Sequence, residues 1–93
     1  MKYRLVFTKQ YEKRVRRFLK HHPELEFAYL KTLKLLQANP FHPSLRLHRL
    51  TGRLSGLHSV SITLSYRITL EFLVTDDEIT PVNVGDHEAV YRT

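Results

Sequence analysis

The chain has 93 residues, with 15 Lys+Arg against 9 Asp+Glu, a formal net charge of +6, and no cysteine. This length makes one domain, residues 1–93, near the lower size at which a single core suffices, and the missing cysteines exclude disulfides and thiolate metal sites. With 42% hydrophobic residues, five Phe and five Tyr, the chain is too apolar for disorder, yet no apolar run reaches the roughly 18–20 residues needed to span a bilayer.

Met1 runs directly into alternating apolar residues with no secretory leader, so a soluble, cytoplasmic protein is expected. In "KYRLVF", Tyr3, Leu5 and Phe7 alternate with Lys2, Arg4 and Val6, which predicts a first strand. Thr8 is a helix N-cap, because its hydroxyl can accept from a free amide of the first turn. From Lys9 to about His21, Tyr11, Val15, Phe18 and Leu19 recur at helical spacing, while Lys13, Arg14, Arg16, Arg17 and Lys20 face elsewhere. That pattern predicts an amphipathic helix with a basic outer face. Proline disfavours a helical residue before it, so "HHP" ends this helix. Pro23 then suits the first turn of a second helix, with Glu24 and Glu26 near its positive end. Leu25, Ala28, Tyr29, Leu33 and Leu36 make its apolar stripe, and the two prolines of "ANPFHP" stop it.

Beyond Pro43 the period becomes two. "SLRLHRL" predicts a short, imperfect strand with Arg46, His48 and Leu50 on one side and Leu45, Leu47 and Arg49 on the other. After the "TGRLSG" turn, His58, Val60, Ile62 and Leu64 alternate with Leu57, Ser59, Ser61 and Thr63. Tyr66, Ile68, Leu70, Phe72 and Val74 continue as the next strand, with Arg67, Thr69 and Glu71 opposite. "TDDE" is an acidic turn, and the proline of "ITPVNV" predicts a last strand that is peripheral or bulged. The order β-α-α-β-β-β-β predicts an α+β domain, with two N-terminal helices on one face of a mainly antiparallel four- to five-stranded sheet. The first strand must return to pair within that sheet.

Charge is unevenly placed. Asp76, Asp77 and Glu78 share one turn, whereas Phe41 to Leu57 contains no acid but carries Arg46, Arg49, Arg53, His42 and His48. Such a field calls for a polyanionic partner. There is no metal-ligand spacing, phosphate loop or nucleophile triad, so neither a metal nor a cofactor is expected. What remains is a set of His48, Arg67, His87 and Tyr91, with Arg46, Arg49 and Arg53 nearby and Arg92 beside Tyr91. This set suits one reaction, attack of an RNA 2′-hydroxyl on its own 3′-phosphate. That reaction needs a base, an acid for the leaving 5′-oxygen, and cations on the phosphorane. Histidine can serve in either proton role, arginine offers a charged fork to phosphate, and tyrosine can stack on a base.

The stretches Leu50-Thr51-Gly52, Gly56-Leu57, Tyr66-Arg67 and Gly85-Asp86-His87-Glu88-Ala89-Val90-Tyr91 resemble, in order and spacing, the RelE/ParE toxin superfamily, and within it the RelE/YafQ type of mRNA interferase. The resemblance implies a toxin of a type II toxin–antitoxin system. Such a toxin would be an endoribonuclease that enters the ribosomal A site and cuts translated mRNA, with mRNA, rRNA and an acidic antitoxin as partners. By position, His48 resembles the histidine before the Leu-x-Gly turn and Arg67 the phosphate-stabilising arginine. His87 resembles the terminal general acid and Tyr91 the late aromatic that supports the reacting nucleotide. Arg46, Arg49, Arg53 and Arg92 would contact RNA, the first three standing where the catalytic lysines of RelE have no lysine equivalent. Ser61 and Ser65 replace a histidine and an aspartate of the YafQ type. Two alternatives stay open: a ParE-like toxin that inhibits DNA gyrase by protein binding, and an inactive module of the same fold. Each residue also has a structural reading: His48 and His87 as solvent-facing histidines, Arg67 as a partner of Glu71, Tyr91 as a cover for the core, and His58 as a packing histidine.

Overall fold

The computed structural model describes residues 2–73 and 76–91. Val74 and Thr75 of the predicted strand and turn, and Arg92, lie outside the described residues. The elements are β1 (Arg4–Leu5), α1 (Lys9–His21), α2 (Glu26–Ala38), β2 (His48–Arg49), β3 (His58–Ser61), β4 (Tyr66–Leu73), β5 (Glu78–Asp86) and α3 (His87–Tyr91). Among the described residues the five strands form one sheet in the order β1-β5-β4-β3-β2. The first strand returns as anticipated and pairs in parallel with β5, whereas all other neighbours are antiparallel. The α+β architecture therefore holds, with a third, short helix added at the end of β5.

Local chemistry sets the helix boundaries. Thr8 is the N-cap of α1, its Oγ1 accepting from Tyr11 N at 3.1 Å. Pro23 opens a single 3₁₀ turn, Pro23–Leu25, which leads into α2. Tyr11, Phe18, Tyr29 and Leu36 from the two helices pack on Val60, Ile68, Leu70, Ile79 and Val84 of the sheet. Burying an aliphatic side chain of this kind is worth about 1.5–3 kcal/mol. Two tyrosine hydroxyls inside this layer, those of Tyr11 and Tyr29, satisfy each other at 2.9 Å.

Two expectations about the sheet need correction, and the choice left open for the proline, peripheral or bulged, resolves to the bulge. The "SLRLHRL" strand shrinks to His48–Arg49, because Pro43–Leu45 forms a 3₁₀ turn capped by the left-handed Arg46. β3 ends at Ser61, since Thr63 Oγ1 accepts from the amides of Ser65 and Tyr66 and turns the chain. Pro81 lies in the interior β5 rather than at the periphery. The ladder accommodates it by a bulge: Thr69 faces Asn83 while Leu70 faces Pro81, leaving Val82 unpaired. Arg14 of α1 donates to the Val82 carbonyl at 3.0 Å, supplying the partner that the ladder does not.

Candidate active site on the outer face of the sheet

Residues directly opposite one another in neighbouring strands share a face of the sheet. The pairs Val60–Ile68 and Ile68–Val84 define the helix-packed face. His48–Ser59, Ser59–Thr69 and Thr69–Asn83 form a row on the opposite, outer face, and Ser61–Arg67 and Arg67–Gly85 form the next row. Of the candidate residues, His48 and Arg67 therefore project from the same face. Arg49 pairs with His58 and lies on the other one.

α3 covers part of this outer face. Asp86 Oδ1 accepts from Ala89 N at 2.8 Å, an Asx-type cap that starts the helix at His87. Asn83 Nδ2 donates to the Ala89 carbonyl at 3.4 Å, and Val90 is fully buried. Gly85 permits the close approach: a Cβ there would stand 2.9 Å from Ala89 Cβ. The segment that follows the predicted last strand is thus a five-residue helix, with His87 in its first turn and Tyr91 four residues on.

The i, i+4 spacing brings the His87 and Tyr91 rings edge to face, with centroids 4.2 Å apart. The Tyr91 hydroxyl donates to Ser59 Oγ at 3.3 Å, and Arg53 Nη2 donates to the Tyr91 carbonyl at 3.2 Å. Since Ser59 faces His48 across the ladder, His48, Ser59, Tyr91 and His87 run consecutively across the face. His48 keeps its imidazole exposed and fixes it through Nδ1 against the Arg46 carbonyl at 3.0 Å. Beside α3 lies an open concavity of about 310 Å³, lined by Leu50, Thr51, Arg53, Leu54, His87 and Tyr91.

The structure brings His87, Tyr91 and Arg53 into direct contact through shared bonds and this concavity, and sets His48 and Arg67 on the same face. Arg46 contributes its carbonyl to His48, and Arg49 stands apart. His58 takes the packing role: its ring lies 5.6 Å from Phe72, and its Nδ1 is buried without a hydrogen-bond partner among the described residues. Burial, then the charges of Arg49 and His48, hold its pKa below the ordinary value. Sequence reasoning missed Ser59 and Asn83, the two buried polar residues that tether α3. The alternation of Ser59 with Ser61 marked their shared face, but nothing in the sequence revealed a helix above it. Among the described residues no cluster of three His, Asp or Glu could hold a metal ion, and no helix is long and apolar enough to cross a membrane.

No family model and no curated protein matches this sequence. Solved structures do. The chain is similar to YafQ from E. coli strain BL21(DE3), with a TM-score of 0.77, 18% identity, and 96% of this chain and 98% of that one covered. It is also similar to the E. coli DinJ–YafQ toxin–antitoxin complex (TM-score 0.68, 22% identity, 98% and 99% covered). A third similar structure is the YoeB–YefM complex from Staphylococcus aureus (TM-score 0.70, 17% identity, 94% and 99% covered). At such identities the likeness establishes the fold: this chain has the RelE/YafQ-like toxin fold along nearly its whole length.

Proposed function

We propose that the protein is the toxin of a toxin–antitoxin pair, a metal-independent endoribonuclease acting on mRNA held at the ribosome and neutralised by an acidic antitoxin. The observation that carries this reading is the line His48, Ser59, Tyr91, His87 across one sheet face, flanked by Arg53 and by the Arg67 row. The toxin fold and the net charge of +6 support it.

In this mechanism His48, neutral and solvent-facing, removes the proton from a ribose 2′-hydroxyl. The 2′-oxygen attacks the adjacent phosphorus, and the bond from phosphorus to the 5′-oxygen breaks. His87, in its protonated form, gives that oxygen a proton. Arg67 and Arg53 offset the charge that accumulates on the phosphorane, a contribution that preorganised donors make most effectively. Tyr91 holds the His87 ring edge-on and presents its own face to the reacting nucleotide. The products are a 2′,3′-cyclic phosphate and a 5′-hydroxyl end.

The test is expression of the protein in a bacterial cell, with cuts mapped by primer extension on translated messages. Growth arrest with cuts inside codons is expected, and His87→Ala should abolish both. A second reading rests on Ser61, which faces Arg67 where a proton-transfer residue is expected from the resemblance. In that reading the chain poisons DNA gyrase by contact alone. A supercoiling assay separates the two, because only the second predicts inhibition there.

A further inference from the structure

The outer face of α1 is not used by the site described above. Lys13, Arg16, Arg17 and Lys20 are all exposed, and none forms an ion pair among the described residues. They stand three and four residues apart, so each repels its neighbours along one ridge. A self-repelling ridge of this kind gains when an anion chain lies along it. The ridge lines an open concavity of about 440 Å³ with His21, and through Arg17 and His21 it continues into a second concavity of about 360 Å³. This cleft runs between α1 and the end of β5, where Arg14, His22, Tyr66, Gly85, Asp86 and Ala89 also line it. Asp86 and Ala89 belong to the turn that presents His87, so the cationic track reaches the candidate active site.

The cleft has an aromatic floor. His22 and Tyr66 rings lie 5.0 Å apart, and both pack on Phe18 at 5.1 and 5.6 Å. The His22 side chain is 32% exposed, leaving a ring surface accessible beside the arginines. Cations that follow a backbone, combined with rings on which a base can stack, are what a single-stranded nucleic acid requires. Among the described residues Asp86 is the one acid in the lining, and its Oδ1 is already engaged by Ala89 N. Phosphates therefore belong at the α1 side of the cleft and along the ridge.

We propose that the α1 ridge and the His22–Tyr66 cleft form a second RNA site, which holds the single-stranded substrate several nucleotides away from the bond at His87. The proposal rests on the reading of RNA as substrate and extends it to a part of the molecule that the chemistry does not touch. Recognition is through ribose-phosphate charge and one stacked base.

The test uses the whole protein and 2′-O-methyl oligouridines, which bind but offer no 2′-hydroxyl for attack. Anisotropy is measured for a fluorescein-labelled trimer and 12-mer across a salt series. Wild type is compared with Lys13→Gln/Arg16→Gln/Arg17→Gln/Lys20→Gln, whose folding is checked by circular dichroism and thermal unfolding. The 12-mer should bind wild type at least about tenfold more tightly than the trimer. The quadruple variant should lose that advantage and keep its trimer affinity. Its salt dependence for the 12-mer, as log K against log [salt], should flatten by about 2–3, at about 0.7 per phosphate contact in a single strand. A 12-mer bound no better than the trimer, or an unchanged quadruple variant, overturns the proposal. So does oligoglutamate of equal length competing as well as RNA, which would make the ridge a surface for acidic protein. Failure of the cleavage reading is separable: if His87→Ala cuts as wild type does but the length advantage and its loss are found, the RNA site stands and the assigned chemistry falls.

Discussion

The Tyr91 hydroxyl donates to Ser59 Oγ at 3.3 Å, joining the last described residue to the middle of β3 across 32 positions of sequence. That bond ties α3, and with it His87, to the strand that faces His48. Tyr91→Phe keeps the ring but removes the donor. A hydrogen bond of this type is worth about 0.5–1.5 kcal/mol of stability, so the melting temperature should fall slightly. If the hydroxyl acts by position, Ser59→Ala should lower RNA cleavage to the same extent as Tyr91→Phe, and the double variant should be no worse than either. Additive losses would show that the Tyr91 hydroxyl has a separate role.

Gly85 sets the distance between α3 and the sheet. Gly85→Ala places a methyl group 2.9 Å from Ala89 Cβ, and overpacking of this kind costs about 1–3 kcal/mol. The helix should move rather than the sheet unfold. The expected result is loss of activity with a retained circular dichroism spectrum, and partial recovery in Gly85→Ala/Ala89→Gly. No recovery would show that the glycine is needed for some other reason.

Arg14 serves the bulge at Val82, and its guanidinium donates to a part-buried carbonyl. Hydrogen bonds to charged groups contribute about 1.5–3 kcal/mol. Arg14→Ala should lower the urea midpoint accordingly, because Pro81 leaves the ladder no spare donor there. Arg14→Lys should recover only part, since a point charge replaces a directed fork. Equal midpoints for wild type and Arg14→Ala would contradict this account of the bulge.

Tyr11 and His58 make stability depend on pH with opposite signs. Burial, then the neighbouring Tyr29, pushes the Tyr11 hydroxyl well above its ordinary value of 10.0. A raised folded value means that the contribution is complete below about pH 10 and is lost as pH rises beyond it. Alkaline unfolding, followed at 295 nm, should therefore release tyrosines in one step with the loss of structure. His58 runs the other way, since burial, then Arg49 and His48, lower its value from 6.5. Its contribution is present above about pH 6.5 and lost as pH falls through the lower folded value. An NMR titration should find His58 below 6.5, and a value above it would contradict the packing described for its ring.

Much of this was legible in the sequence because it is local. Thr8 and the α1 periodicity act within one turn of helix and appear where the residues place them, while Pro23 opens a 3₁₀ turn just ahead of the second helix rather than its first turn. His58 in phase with Val60 marked a packing histidine, and Pro81 marked a bulge. What was hidden depends on distant partners. The parallel pairing of β1 with β5 joins residues 74 positions apart, and it places β5 inside the sheet, where a proline is not expected. α3 is too short for periodicity to show, and its signals, the Asp86 cap and Gly85, act only once β5 has been placed beneath it. Arg49 groups by charge with Arg46 and Arg53, although the alternation of "SLRLHRL" already sets it opposite His48, and the strand pleat turns it to that opposite face.

The proposed role of His87 is to protonate the leaving 5′-oxygen after attack by a neighbouring 2′-hydroxyl. The most direct measurement is end-group analysis of messages cut in cells that express the protein, with the His87→Ala variant in parallel. Wild type should leave 2′,3′-cyclic phosphate and 5′-hydroxyl ends and the variant should make no cuts, with both proteins folded and equally abundant. Cuts that leave 5′-phosphate ends, or cutting by His87→Ala at the wild-type level, would contradict that role.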